Sequence, residues 1–212
     1  MTRDETLERY RQYRKACTAI QTAAFRCVPS VVLTDTAKRL GLWDGKRIIA
    51  ESDDDLVLVY DLGVHTARRG RSRAIDRYAK SHADLTGADG IVLAALRDAR
   101  FSLFRVVGGH PETGLMVEDV MRGGETWLVD VNLEATATPG AVLAMRLARP
   151  DAFAIGCGTA LPIDDETLDE LLDYLTDDGD DDLSAVADHP LFAESVYRLA
   201  LETGLTDLVG YR

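Results

Sequence analysis

Along the first thirty positions, apolar residues recur at alternating spacings of three and four: Tyr10, Tyr13, Cys17, Ile20, Ala24 and Cys27. That spacing puts them on one stripe of an α-helix. Residues 2–28 are therefore predicted as one long helix, ended by Pro29. Thr2 and Glu5 stand at capping-box spacing, hydroxyl toward one amide and carboxylate back toward the other. A short helix is expected over Asp35–Leu40, closed by Gly41 as a left-handed cap, then a brief strand over Lys46–Ala50. Ser52 caps the next helix, with Asp53, Asp54 and Asp55 in the first turn, where the helix dipole favours anions. Two further helices are predicted over Ser72–Lys80 and Thr86–Ala99.

The period changes to two at Phe101, the mark of strands. Phe101, Leu103 and Val107 fall on one side, Phe104 and Val106 on the other. A second strand is expected over Leu115–Val120, then a turn at Gly123-Gly124, where both glycines accept positive φ. Trp127, Val129 and Val131 alternate in a third strand, with Trp127 expected inside the sheet's core. After a turn at Thr138-Pro139-Gly140, Leu143, Met145 and Leu147 mark a fourth strand, and Phe153, Ile155 and Cys157 a fifth. Five short strands in so few residues suit a small curled barrel of the Src-homology or OB type, in which closure hides strand edges.

Beyond Pro162 the helical period returns with Leu168, Leu171, Leu172 and Leu175, preceded by Asp164, Asp165 and Glu166. An acidic loop, Asp177 to Asp182, leads to a last helical region holding Phe192, Val196 and Leu199. The chain reads as α+β: a helical N-terminal part (1–99), a small five-stranded β-barrel (100–162) and an acidic helical C-terminal part (163–212).

The charge is unevenly divided. Net charge is −12, but residues 1–110 hold 19 basic and 14 acidic side chains, a net of +5. Residues 111–212 hold 5 basic and 22 acidic, a net of −17. Such opposition marks a partner surface or contact between the two halves, or serves solubility alone. The start of the chain is charged, and the longest run lacking Asp, Glu, Lys and Arg is the 12 residues Ala152 to Ile163. A membrane span needs roughly 20 apolar residues, so a cytoplasmic protein without a membrane partner is expected. Three cysteines, an odd number, point to reduced thiols. Cys17 and Cys27 lie too far apart on one helix to bridge, and both are expected to be buried on its stripe.

Candidate chemistry is sparse. The histidines at 65, 82, 110 and 189 are scattered, unlike zinc ligands at short spacings. The Asp-rich run 177–182 has its glycine third rather than sixth, unlike a calcium loop. No metal and no cofactor is expected. Cys157, between two glycines, falls on the inward parity of a strand. Asp119 and Asp130 stand near strand ends, where aspartate closes turns; with His65 they are the separated residues from which an enzyme would have to be assembled. The clearest signal is basic. Arg68, Arg69, Arg71, Arg73 and Arg77 crowd together, with Lys80 beyond. On the helix over Ser72–Lys80, Arg73, Arg77 and Lys80 share one face, with Ile75 and Tyr78 opposite. A phosphate backbone is an obvious partner for such a stripe. A solvated face, or pairing with the chain's own acids, is the alternative.

Several short runs point outward to other proteins: Leu96-Arg-x-Ala-Arg-Phe-Ser-Leu-Phe-Arg-Val106, Gly-Leu-x-Val-Glu-Asp119, Trp-Leu-Val-Asp130, Thr-x-Pro-Gly140 and Gly-x-Ala-Leu-Pro162. Over roughly 50 to 165 these resemble a group of bacterial proteins, some of which carry a SEC-C zinc-binding tail. This chain shows no Cys-x-Cys with a following His-Cys pair, so the resemblance implies fold and not metal binding. The sequence thus leads to a non-catalytic binding or adaptor protein with a protein partner, or to nucleic-acid or ribosome contact through the Arg68–Arg77 cluster.

Overall fold

A computed structural model describes residues 1–50, 52–67, 70–176 and 182–205. Five helices come first: α1 (Arg3–Phe25), α2 (Ser30–Arg39), α3 (Asp53–His65), α4 (Ala74–Ser81) and α5 (Gly87–Arg97). Three strands follow, β1 (Arg100–Gly109), β2 (Leu115–Asp119) and β3 (Glu125–Leu128), then the short α6 (Val131–Thr136). The chain continues through β4 (Val142–Ala148), β5 (Ile155–Gly156) and β6 (Leu161–Ile163), and ends in α7 (Asp165–Thr176), α8 (Leu183–Asp188) and α9 (Phe192–Glu202). The α+β organisation expected from periodicity is present, with helical N- and C-terminal parts around a curled sheet. Among the described residues no single helix is long and apolar enough to cross a membrane.

Local chemistry fixes several ends. Thr2 and Glu5 form a complete capping box on α1, and Ser52 with Asp55 does the same on α3. Gly41 follows α2 at φ 76°, and Gly123 and Gly124 turn the β2–β3 hairpin at φ 72° and 85°. Two boundaries differ from expectation. α2 begins directly after Pro29, because proline's fixed φ suits the entrance to a helix. The strand expected at Lys46–Ala50 is a single bridge between Trp43 and Ile48.

The sheet is antiparallel, ordered β3-β2-β1-β4-β5, with β6 also pairing β4. It has six strands rather than five and curls into a half-barrel. One parallel bridge spans its open side: Val129 donates to the carbonyl of Ala154 at 2.9 Å, and Ala154 to that of Trp127 at 2.7 Å. Phe104, Val106, Leu115, Val117, Leu128, Leu143, Met145 and Leu147 fill one face. The other face packs on helices in two clusters. Phe101, Leu103, Val142 and Ala144 meet α2, α3, α7 and α9. Val129, Phe153, Ile155 and Cys157 meet α1, α4 and α5. Every residue of β4 is buried, since both its faces are covered.

Three side chains point elsewhere than the alternation predicts. A bulge between Val106 and Gly108 shifts the register, leaving Val107 48% exposed. Such an insertion breaks the period of two. Trp127 lies on the helix-facing side, half-buried. It stacks on His110 at 3.9 Å, meets Phe153 edge-on at 5.5 Å and donates Nε1–H to the Thr113 carbonyl at 2.7 Å. Val129 shares its side, but Val131 is exposed, because Asp130 ends the extended run by capping α6.

Cys17 and Cys157 are buried, as expected; Cys27 is exposed. α1 stops at Phe25, so Cys27 falls in the following turn and leaves the stripe. A thiol titration of the native protein with an aromatic disulfide reagent should therefore find one fast group, and three after denaturation. Cys27→Ser should remove the fast group. Rapid labelling persisting in that variant would contradict this packing.

Candidate functional site: a cationic cleft over a buried ion pair

The outward parity of β4 puts Arg146 between Ala144 and Ala148, facing α3. Asp61 waits there, on a helix buried through Leu58, Val59, Leu62 and Val64. The two make a bidentate ion pair, Nε to Oδ1 at 2.8 Å and Nη2 to Oδ2 at 2.9 Å. Their side chains are only 8% and 4% exposed. Tyr197 of α9 donates its hydroxyl to Asp61 Oδ2 at 3.1 Å. Phe101, the partner of Arg146 in the β1–β4 register, carries the guanidinium over its ring at 5.7 Å and meets Tyr197 edge-on. Burial alone would raise the Asp61 pKa. The charge and hydrogen bonds of Arg146 outweigh it and hold the carboxyl below its ordinary value. Burial, then the Asp61 charge, push the Tyr197 hydroxyl well above its own.

One turn on from Asp61 stands His65, 5% exposed. Its Nε2 lies 3.3 Å from Gln21 Oε1. The Gln21 amide nitrogen is committed to the Cys157 carbonyl at 2.6 Å and Cys17 Sγ at 3.2 Å. Gln21 therefore accepts from Nε2–H, and Nδ1 is left as a bare lone pair. Among the described residues Nδ1 has no hydrogen-bond partner. Burial first, then the Arg146 charge, push His65 down to about 3. Desolvation thus overrides the preference of a helix's C-terminal end for a cationic side chain. Nearby, the Cys17 thiol is lowered, first by its hydrogen bond with Cys157. The Cys157 thiol is raised by that same bond and then by burial.

Over this network opens a cleft of about 290 Å³. His65, Arg73, Arg100, Arg122 and Arg146 line it from one side, and Asp188, His189 and Phe192, at the α8–α9 junction, from the other. Arg122 is mostly spent: it donates to Asp188 at 2.8 and 3.2 Å and to the Phe101 carbonyl at 3.3 Å. Asp119 holds the turn beneath it, accepting from the amides of Met121 and Arg122. Arg146 keeps Nη1 uncommitted among the described residues, and so does Arg73. The Arg100 side chain, exposed at the start of β1, forms no hydrogen bond among the described residues.

The basic run singled out in the sequence divides. Arg68 and Arg69 lie outside the described residues, as does Asp177 to residue 181 of the acidic loop. Arg71 and Lys80 are exposed. Ile75 and Tyr78 are buried opposite them, as the periodicity indicates. Arg73 forks onto Asp76 at 2.8 and 2.9 Å and reaches the Arg97 carbonyl at 2.7 Å. Arg77 donates to the carbonyls of Ser72 and Cys27. So Arg73 and Arg77 hold α4 in place, and only Arg73 also reaches the cleft. Arg100, Arg122 and Arg146 carried no local signal, being far from the run in sequence. Asp119 and Asp130 close a turn and cap a helix. Among the described residues no group of three or more His, Cys, Asp or Glu side chains is placed to hold a metal ion.

The His65 pKa makes stability pH-dependent with a definite sign. Its unfolded value is near 6.5 and its folded value about 3. Between them the unfolded chain binds more protons, so stability is complete above 6.5 and falls as pH drops toward 3. Going from pH 7 to pH 4.5 should remove about 3 kcal/mol through this group. Urea unfolding of the parent and of His65→Gln at both pH values checks it. The variant should lose less by roughly that amount; equal losses would mean His65 is not buried neutral.

No curated protein and no solved structure matches the chain. Residues 4–178 match the model of a family of unknown function, DUF7986, which spans most of the sequence, and the chain belongs to that family.

Proposed function

We propose that this chain is a non-catalytic binding protein whose ligand is anionic and phosphate-bearing, held in the cleft between α3–α4, β1 and the α8–α9 junction. One observation carries the reading. Among the described residues, three guanidinium groups, Arg73, Arg100 and Arg146, line one small cleft with donors left over, facing one acid, Asp188, already held by Arg122. Guanidinium donors converging in a partly dry site favour planar or tetrahedral oxyanions. The alternative, nucleic-acid contact, is favoured by Arg71 and Lys80, which flank Arg73 and Arg77 in the chain and stand exposed.

Calorimetric titration with pyrophosphate, and anisotropy with a labelled single-stranded oligonucleotide, separate the two. In the cleft reading, pyrophosphate binds, and Arg100→Ala weakens it by about tenfold while Arg71→Ala leaves it unchanged. In the nucleic-acid reading, the oligonucleotide binds with strong salt dependence, and Arg71→Ala with Lys80→Ala weakens it. Absence of pyrophosphate binding at low salt removes the cleft reading.

A further inference from the structure

A cleft of about 400 Å³ opens between α1, α3 and residues 157–159. Of the buried ion pair, Asp61 lines this cleft and Arg146 the cationic one. Two further charges of opposite sign line it. Arg14 of α1 donates Nη1–H to the Gly156 carbonyl. Asp54 of α3 accepts from the Thr159 hydroxyl at 3.2 Å. Both side chains are partly exposed, and among the described residues neither forms an ion pair, with the other or elsewhere. Residues 156–159 tether them at opposite ends, and four residues reach at most about 14 Å when extended. The charges are thus too far apart to pair and near enough for one small molecule to span. Thr18 and Thr22 stand exposed along the α1 wall, and their hydroxyls make no hydrogen bond among the described residues. Phe25 and Tyr60, ring to ring at 4.2 Å, add apolar surface.

We propose that this cleft binds a short zwitterionic peptide of two or three residues. Its carboxylate sits on the N–H donors that Arg14 keeps uncommitted, a guanidinium being matched to a carboxylate in shape and charge. Its ammonium sits on Asp54, where Asp53 and Asp55 make the start of α3 strongly acidic. A ligand of one sign would satisfy one of the two charges and be repelled by the other. Consecutive Cα atoms are about 3.8 Å apart, so a di- or tripeptide carries its terminal charges within the span that residues 156–159 allow. The threonine hydroxyls can both donate to and accept from the peptide's amides. A cleft of this volume lies within the range of small-molecule sites.

The test is calorimetry on the full chain with trialanine, N-acetyl-trialanine, which lacks the ammonium, and trialanine amide, which lacks the carboxylate. The parent should bind trialanine at least about tenfold more tightly than either blocked form. Asp54→Asn should lose the preference for the free amine and keep that for the free carboxylate; Arg14→Gln should do the reverse. Should Arg14→Gln fold poorly, the parent's ranking of the three ligands and the Asp54→Asn result decide. Saturating pyrophosphate should leave the trialanine affinity unchanged, because the two clefts are separate. Competition between them would put the peptide in the cationic cleft and overturn the proposal. Equal binding of all three peptides by the parent, or no binding of trialanine at low salt, would overturn it as well and leave the anion-binding reading standing.

Discussion

The arrangement turns on one buried ion pair. Arg146 and Asp61 come from strand and helix 85 residues apart, and both are almost fully removed from water. Taking two charges out of water costs several kcal/mol per ion, and only good geometry with added hydrogen bonds offsets it. Here the pair is bidentate, Tyr197 gives Asp61 a further donor, and Phe101 places a ring beneath the guanidinium. Three separate parts of the chain are thereby fixed to one point: α3 through Asp61, the sheet through Arg146, and the last helix through Tyr197. Burial first, and then the Arg146 charge, keeps His65 neutral, and Arg146 Nη1 stays uncommitted among the described residues. Fold and candidate site therefore meet at one ion pair.

The opposed charges of the two halves find a structural counterpart. Arg3 pairs with Glu134, Arg9 with Asp151 and Arg39 with Glu194, each joining the basic half to the acidic half. These pairs are partly exposed, and each is worth little alone. Three of the 22 acids in the second half are thus committed to arginines of the first, and the cleft's Asp188 is held by Arg122.

The sequence made the local rules legible and the long-range partners not. The capping box at Thr2, the helix cap at Ser52, the glycine cap at Gly41 and the Gly123-Gly124 turn depend on neighbours within four residues, and they stand as read. The strand parities of Phe104, Val106, Leu143, Met145 and Leu147 also hold, because a buried face enforces alternation. Misplacements follow where one residue resets the period: the bulge at Val106/Gly108, the cap at Asp130, the early end of α1 before Cys27. The basic run itself holds a signal that Arg73 is paired. Asp76 stands three residues beyond Arg73 on the same helical face, the spacing at which opposite charges pair. The cleft itself could not be read from any window of sequence. Its arginines come from α4's cap, β1, the β2–β3 turn and β4, and nothing local announces that the fold gathers them.

Asp61 and Arg146 act as one unit. A double-mutant cycle with Asp61→Leu, Arg146→Met and the pair, read by urea unfolding at pH 7, measures that directly. Each single change strands a buried charge and should cost about 3–5 kcal/mol. The double variant should cost far less than the sum, giving a coupling of at least about 2 kcal/mol. Costs that add to within about 0.5 kcal/mol would contradict the claim, because the two side chains would then not depend on one another.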